Sequence, residues 1–259
     1  MQIAFKDRLA YRTEYFLGVL GFVFIFMAQL FLWRAAIGQS QQTSTTAGVV
    51  TMKEMTTYVF VAIVIGILIR NNLIQNMSDR IRNGLIISDL IKPMNFKGYL
   101  FSDMVGRSLF NFLFQLLPVL ALGLIFLRIE YPSPLNLLLF CLALAGAMIV
   151  MFLLSFCLGL LAFWYSSMWQ LNTLMWGFIS VFSGMYVPLW FFPKTLADIA
   201  NVLPFRLMYF VPTTIFLGQV RLADCLYMLL QQFIWILGLY LLSILMWRTA
   251  IKKLVIQGG

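Results

Sequence analysis

Residues 77–107, MSDRIRNGLIISDLIKPMNFKGYLFSDMVGR, form a long polar break in a chain that is otherwise strongly apolar. The break and its entry carry the basic residues Arg70, Arg80, Arg82, Lys92, Lys97 and Arg107 and the acidic residues Asp79, Asp89 and Asp103. Asn83-Gly84 is a turn signal, and Pro93 interrupts the run that follows it. The stretch therefore predicts short amphipathic helices joined by turns, which lie against a membrane surface or a soluble partner.

Apolar residues recur at helical spacing between this turn and the end of the polar run. One side of the predicted helix carries Ile86, Ile87, Leu90, Ile91 and Met94. The other side carries Ser88, Asp89, Lys92 and Asn95. A solvated loop would not need this pattern. We therefore expect an apolar face that anchors the segment and a charged face that contacts a partner.

The composition places the chain among polytopic membrane proteins. It has 259 residues, of which 62% are hydrophobic and 10% are charged, and no histidine. Soluble domains of ordinary composition carry about 25% charged residues. The mean hydropathy is +0.93. Because the chain is so apolar, we interpret the net charge of +9 as the excess of Lys and Arg that orients membrane proteins, and not as a nucleic-acid-binding surface.

Apolar runs of spanning length predict six transmembrane helices and an all-α fold in one domain, residues 1–259. The predicted spans are residues 14–33, 55–74, 108–127, 135–163, 168–189 and 222–247. Residues 1–12 predict an interfacial helix. Residues 38–52, rich in Gln, Ser and Thr, predict a loop of low complexity. The three cysteines, Cys141, Cys157 and Cys225, are interpreted as small apolar core residues.

Residues 191–216 are apolar but broken by prolines, which straight spanning helices do not accommodate in such number. We expect short helices that dip into the membrane from one side. With both termini inside, 12 of the 18 Lys and Arg residues fall in the inside segments and the other six outside. This bias predicts cytoplasmic termini and places residues 77–107 in the cytoplasm.

The sequence contains no recognisable catalytic constellation. Without histidine it has no His-based zinc site and no Ser-His or Cys-His pair. It also lacks the GxxxxGK[ST] pattern by which P-loop proteins bind ATP. Several uncharged polar residues do fall within predicted spans: Gln29, Asn111, Gln115, Asn172, Gln231 and Gln232. They fit either hydrogen bonds between helices or the lining of a substrate pathway.

Two groups of motifs resemble the permease subunits of ABC-2 type exporters. The first is Ile81-Arg82-Asn83-Gly84 followed by Leu90 and Pro93, between the second and third predicted spans. The second is FSGMYVP at residues 182–188, followed by Phe192-Pro193, Leu203-Pro204-Phe205, and Pro212 with Gly218. The closing Gln257-Gly258-Gly259 is similar to the branch in which two permeases are often encoded beside one ATPase.

The resemblance implies the architecture of type V exporters. In that architecture residues 1–12 form the interfacial helix, residues 81–93 a cytoplasmic coupling helix, and residues 191–216 extracellular re-entrant helices. The ATPase-coupling positions would be Asp79, Arg80, Ile81, Arg82, Asn83, Gly84, Leu85, Asp89, Leu90 and Pro93.

The resemblance also implies partners and location. It implies two copies of a cytosolic ATPase that carry ATP and magnesium, with no cofactor on this chain, and a second permease that is identical or related. It implies a bacterial inner membrane, no nucleic acid, and a hydrophobic or amphipathic cargo such as a drug, an antibiotic or a peptide. A six-span secondary carrier or channel is the alternative, and a membrane-embedded enzyme or assembly factor is a further one.

Overall fold

The computed structural model describes residues 12–38, 42–45, 48–126, 129, 131–165 and 167–253. The interfacial helix predicted for residues 1–12 lies outside these residues except for Arg12, and so does the closing Gln257-Gly258-Gly259. The helices are α1 Arg12–Ile37, α2 Met52–Ile69, α3 Leu73–Arg82, α4 Leu85–Leu90, α5 Phe96–Asn111, α6 Leu117–Phe126, α7 Pro134–Leu160, α8 Trp169–Phe182, α9 Lys194–Val202, α10 Phe210–Leu217 and α11 Leu222–Ala250.

Shorter turns extend or connect several of these helices. A π-helical turn, Phe112–Leu116, joins α5 to α6, and a 3₁₀ turn, Leu161–Phe163, ends α7. Three further 3₁₀ turns are Leu189–Phe191, Pro204–Leu207 and Ile251–Lys253. α5 begins at Asn95, whose side chain accepts a hydrogen bond from the Gly98 N–H, a common N-terminal cap.

Five described helical segments are long and apolar enough to cross a membrane: Gly18–Ile37, Met52–Arg82, Phe96–Ala121, Pro134–Phe163 and Leu222–Lys253. The polytopic helical fold is thereby confirmed. The fifth predicted span, residues 168–189, holds α8, which has 14 residues. Such a helix is about 21 Å long, shorter than the roughly 30 Å hydrocarbon core of a bilayer. The count of six spans therefore stays a prediction.

The segment expected as a loop contains a small antiparallel β-hairpin instead. Strand β1, Gln42–Thr45, pairs with β2, Gly48–Thr51, in the register Gln42↔Thr51. Threonine and valine favour extended backbone, which outweighs the low complexity of this stretch. Thr51 then caps α2 in a reciprocal capping box, because its hydroxyl accepts from the Glu54 N–H while the Glu54 carboxylate accepts from the Thr51 N–H.

Helix α2 ends earlier than the second predicted span. It stops at Ile69, and the extended residue Arg70 leads through Asn71 and Asn72 into α3. The last carbonyls of α2 find partners on the neighbouring helix, since Ser108 Oγ donates to the Leu68 carbonyl at 2.6 Å and Asn111 Nδ2 to that of Ile67 at 3.3 Å. Polar side chains of α5 thus supply hydrogen bonds to the end of α2.

Helix α7 lies at the centre of the core and packs against α2, α3, α10 and α11. Its small residues Ala143, Gly146 and Ala147 are buried and allow close approach of neighbouring helices. The α11 residue Gln232 fills the space opposite Gly146. Its amide nitrogen donates to the carbonyls of Ala143 at 2.9 Å and Leu207 at 3.1 Å.

The chain just before the proline-broken segment is anchored on α2. Gly184 has a positive φ of 80°, and a Cβ at that position would lie 2.7 Å from the Tyr58 hydroxyl oxygen. The Tyr58 hydroxyl donates to the Gly184 carbonyl at 2.6 Å. Only glycine combines this backbone conformation with this close approach. α9 lies within residues 191–216 and α10 ends one residue beyond them, while the re-entrant course of this segment in a membrane stays a prediction.

The Gly146–Gln232 contact predicts a specific sensitivity to side-chain size. In Gly146→Val the added atoms would collide with the Gln232 carboxamide and break its bridge to α7 and to Leu207. Overpacking of this kind lowers the free energy of unfolding by about 1–3 kcal/mol. Thermal unfolding of the purified protein in one mild detergent, followed by fluorescence, measures the loss.

Gly238→Val is the matched control, because a Cβ at Gly238 on α11 meets nothing within 4 Å. Both changes place the same β-branched residue in a long helix. Equal losses of stability in the two variants would contradict the close packing of α7 on Gln232.

Candidate functional site

The polar segment folds into a compact unit at one end of the helix bundle. α3 ends at Arg82, and Gly84, with a φ of 70°, lets the chain turn directly into α4. Among the candidate coupling residues, Arg82, Asn83, Gly84, Leu85 and Pro93 are exposed, while Ile81 and Leu90 are half-buried. Residues 77–94 therefore present a helix–turn–helix edge that the rest of the described chain does not cover.

Ion pairs on the buried side of α4 hold this helix against α3. The Asp89 carboxylate, with a side chain 5% exposed, accepts from Arg80 Nη1 and from Lys92 Nζ, the latter at 2.7 Å. Burial by itself raises the pKa of the Asp89 carboxyl, but the hydrogen bonds and charges of Lys92 and Arg80 outweigh it. The pKa therefore lies below its ordinary value of 3.8. Asp79 accepts from Gln75 at 3.2 Å within α3.

The prediction of which residues lie on each face of this helix is wrong in part. Asp89, expected on the charged contact face, is buried, whereas Ile87, Ile91 and Met94, expected on the anchor face, are exposed. Burial of Asp89 is tolerated because Arg80 and Lys92 both pair with it. Because α4 ends at Leu90, the helical periodicity no longer decides which side Ile91 and Met94 face.

The exposed surface of the unit includes four large apolar side chains. Its large side chains and their exposed fractions are Leu85 54%, Ile87 39%, Ile91 78% and Met94 56%. We call these four residues the α4 surface. Isolated apolar residues on a surface are ordinary, but four within ten residues of a polar segment mark a contact site for a partner or a membrane.

The unit is joined rigidly to three long helices. Met77 on α3 is buried against α7, where a Cβ at Gly159 would lie 2.6 Å from its Sδ and 3.3 Å from its Cβ. At the start of α5, Lys97 Nζ donates to Ser243 Oγ of α11 at 2.6 Å. Phe96 stacks on Trp247 of α11 at a centroid distance of 5.2 Å. Packing thus connects α3 to α7, and the start of α5 to the end of α11.

A polar cavity of about 220 Å³ lies beside this unit, where α2 is interrupted. Two candidate pathway residues, Asn111 and Gln115, line it together with Arg70, Asn71 and Arg107. The Arg70 guanidinium lies over the Trp176 ring of α8, 5.2 Å from its centroid. Asn111 and Gln115 thus line the same cavity as the basic side chains of Arg70 and Arg107.

The other candidate pathway residues lie apart from this cavity. Gln232 is buried and bridges carbonyls of two other segments, a geometry that favours a structural role. Gln231 lines a second cavity, between α9 and α11. Asn172 is half-buried on α8, and Gln29 on α1 has a buried Oε1 without a hydrogen-bond partner in the described part of the chain.

Sequence reasoning missed two residues that the packing makes prominent. Met77 packs directly against Gly159 and leaves no room for a side chain at that position. Nothing in the sequence distinguishes Gly159 from Gly146, the other glycine of α7. Arg206 is buried, 7% exposed, in the turn Pro204–Leu207. Its signal was present, since it is the only charge in the apolar run LPFRLMYF at residues 203–210.

Comparison with known proteins identifies one family. A family model described as "ABC-2 family transporter protein" matches residues 16–258. No curated protein and no solved structure matches the chain. The matched region covers every helix described above apart from the first residues of α1.

The Asp89 network predicts a pH-dependent contribution to stability. Asp89→Asn removes the charge that Arg80 and Lys92 share, and should cost roughly 1–3 kcal/mol at neutral pH. Because the pKa of Asp89 in the folded protein is lowered, its contribution is fully present above 3.8 and is lost as the pH falls through the lowered value. Unfolding in detergent at neutral and stepwise lower pH measures both effects.

Asp103→Asn provides the control, because Asp103 pairs with Arg107 at 2.9 Å on the surface, with side chains 45% and 48% exposed. Exposed pairs of this kind contribute about 0–1 kcal/mol. A loss as large for Asp103→Asn as for Asp89→Asn, or a difference from the wild type that persists at the lowest pH, would contradict the assigned network.

Proposed function

The chain belongs to the ABC-2 family of transporter proteins, and from that premise we propose that it is the permease subunit of an ATP-driven exporter. A separate cytosolic ATPase hydrolyses ATP, and this chain forms the path for the cargo. The observation that carries the proposal is the α4 surface, an exposed apolar face on a polar unit that is held by the ion pairs of the buried Asp89.

The coupling role rests on how that unit is mounted. A partner ATPase that binds the α4 surface gains apolar contact area there, since Leu85, Ile87 and Ile91 are open in the chain alone. The network around Asp89 prevents α4 from moving independently of α3. Because α3 rests on α7 through Met77 and Gly159, movement of the ATPase would tilt α7 and the helices packed on it.

A second permease and a second ATPase complete the proposed exporter. The two cavities described, of about 220 and 260 Å³, are each smaller than the roughly 300–1,000 Å³ of pockets that hold drug-sized ligands. Neither of these two cavities alone would hold a drug-sized amphipathic cargo, which favours a pathway shared with a second permease. The second permease is identical or related to this chain, and the two would face each other within the membrane.

The cargo pathway begins, in this proposal, at the cavity lined by Arg70, Asn111 and Gln115. This cavity lies at the same end of the bundle as the coupling unit, so that a movement of α3 and α5 would change its shape. Its basic and amide side chains suit the polar part of a hydrophobic or amphipathic compound, such as a drug, an antibiotic or a peptide. We place the protein in a bacterial inner membrane with cytoplasmic termini.

Changing the α4 surface should separate the permease from its ATPase. In the double variant Leu85→Ser, Ile91→Ser, both side chains are exposed, so the fold should be retained. We expect at least a fivefold drop in the P-loop ATPase that co-purifies with the tagged protein in mild detergent. Mass spectrometry identifies the ATPase, and ATP hydrolysis in the purified complex quantifies it.

Tyr131→Ser is the control, since Tyr131 is 77% exposed and lies on the side predicted to be extracellular. It should leave ATPase recovery unchanged. Unchanged recovery in the double variant would refute the role of the α4 surface. A wild-type homomer without any ATPase would instead favour a secondary carrier or channel.

The proposed pathway predicts that access to Gln115 depends on the ATPase cycle. In a chain whose native cysteines are replaced by alanine, Gln115→Cys should react with a maleimide at a rate that changes at least twofold when ATP, magnesium and vanadate trap the reconstituted complex. Leu237→Cys, on the exposed face of α11, should react at a constant rate. Constant labelling at both positions would exclude this cavity from the pathway.

A further inference from the structure

Arg206 is a buried cation that the coupling mechanism does not use. It lies in the 3₁₀ turn Pro204–Leu207, between α9 and α10, and is 7% exposed. Pro204 fixes the start of this turn, and the apolar neighbours Phe205 and Leu207 carry Arg206 inward with them. Its position therefore follows from the local fold and not from the attraction of an acidic residue.

The partners of Arg206 are neutral. Its Nη1 donates to Asn201 Oδ1 and its Nη2 to Gln231 Oε1. Its Nε is buried without a hydrogen-bond partner, and none of the ion pairs formed among the described residues includes Arg206. A buried charge is costly unless it is paired. The described residues thus leave the positive charge of Arg206 uncompensated.

The amide groups of Asn201 and Gln231 connect Arg206 to a cavity through hydrogen bonds. A guanidinium only donates hydrogen bonds, so Asn201 and Gln231 must turn their oxygens towards Arg206. Their NH₂ groups then point elsewhere, and neither has an acceptor among the residues described. Both residues line the cavity of about 260 Å³ between α9 and α11. The polar wall of this cavity therefore offers hydrogen-bond donors backed by a positive charge.

The remaining wall of the cavity is apolar. It consists of Val202, Leu203, Leu207, Ile234 and Trp235. Val202 is 71% and Ile234 59% exposed, so the cavity opens onto an apolar outer surface of α9 and α11. In a membrane protein, lipids contact such a surface where no second chain covers it. A phosphate would lie at the amides while a hydrocarbon chain runs along Ile234 and Trp235.

We propose that this cavity binds the phosphate group of an anionic membrane phospholipid. The amide groups of Asn201 and Gln231 donate hydrogen bonds to the phosphate, and its negative charge compensates the positive charge of Arg206. An anionic lipid is favoured over a zwitterionic one, because the second, cationic group of a zwitterionic head would be repelled by Arg206. The site is independent of the ATPase coupling proposed above. It ties the outer surface of α9 and α11 to the composition of the bilayer.

Trp235 lets this site be tested by fluorescence quenching. The wild-type protein is placed in vesicles of phosphatidylcholine that contain a fixed fraction of either brominated phosphatidylglycerol or brominated phosphatidylcholine. The fluorescence of Trp235 is obtained by subtracting the signal of the Trp235→Phe variant. We expect at least threefold preferential quenching of Trp235 by the brominated phosphatidylglycerol, and loss of that preference in Arg206→Gln.

Two further variants keep the test decisive if Arg206→Gln fails to fold. Arg206→Lys retains the positive charge and should retain most of the preference. Asn201→Leu, at an exposed position, removes one donor and should weaken the preference at least twofold. Equal quenching by the two brominated lipids in the wild type would overturn the proposal, and so would a preference that Asn201→Leu and Arg206→Gln leave unchanged.

Discussion

The interrupted end of α2 is the constraint on which the arrangement of the chain depends. A helix that stops leaves its last carbonyl groups without partners inside the helix. Ser108 and Asn111 of α5 provide them at Leu68 and Ile67. These hydrogen bonds hold α2 and α5 side by side at this point. This placement brings the polar segment back against the bundle, where α3 rests on α7.

Hydropathy predicted the helices of the bundle well but located the end of α2 poorly. The predicted span 55–74 ran past Ile69 because Leu73 and Ile74 are apolar and buried, as a spanning residue would be. The signal for the break was the polar run Arg70-Asn71-Asn72, since the Asn71 side chain accepts from the Leu73 N–H at 3.1 Å and starts the next helix. Averaging over a window hides such a three-residue signal.

The candidate coupling residues could be located from the sequence, but not the way they face. Helical periodicity assigns a polar residue to the solvent, and Asp89 departs from that rule because Arg80, nine positions away, meets it across a turn. Contacts between residues that lie far apart in the sequence could be predicted even less well. Neither the bridge from Gln232 to Ala143 and Leu207 nor the approach of Met77 to Gly159 follows from residue types alone. Both depend on which helices become neighbours.

The helices of the bundle differ in how closely they pack. α7 carries glycine and alanine where α3 and α11 approach, so these helices interlock and should move together. α1 touches the remainder mainly through residues such as Phe26, against Phe60 of α2, and Trp33, against Phe191. Its other large side chains, Phe24 and Phe31 among them, are exposed.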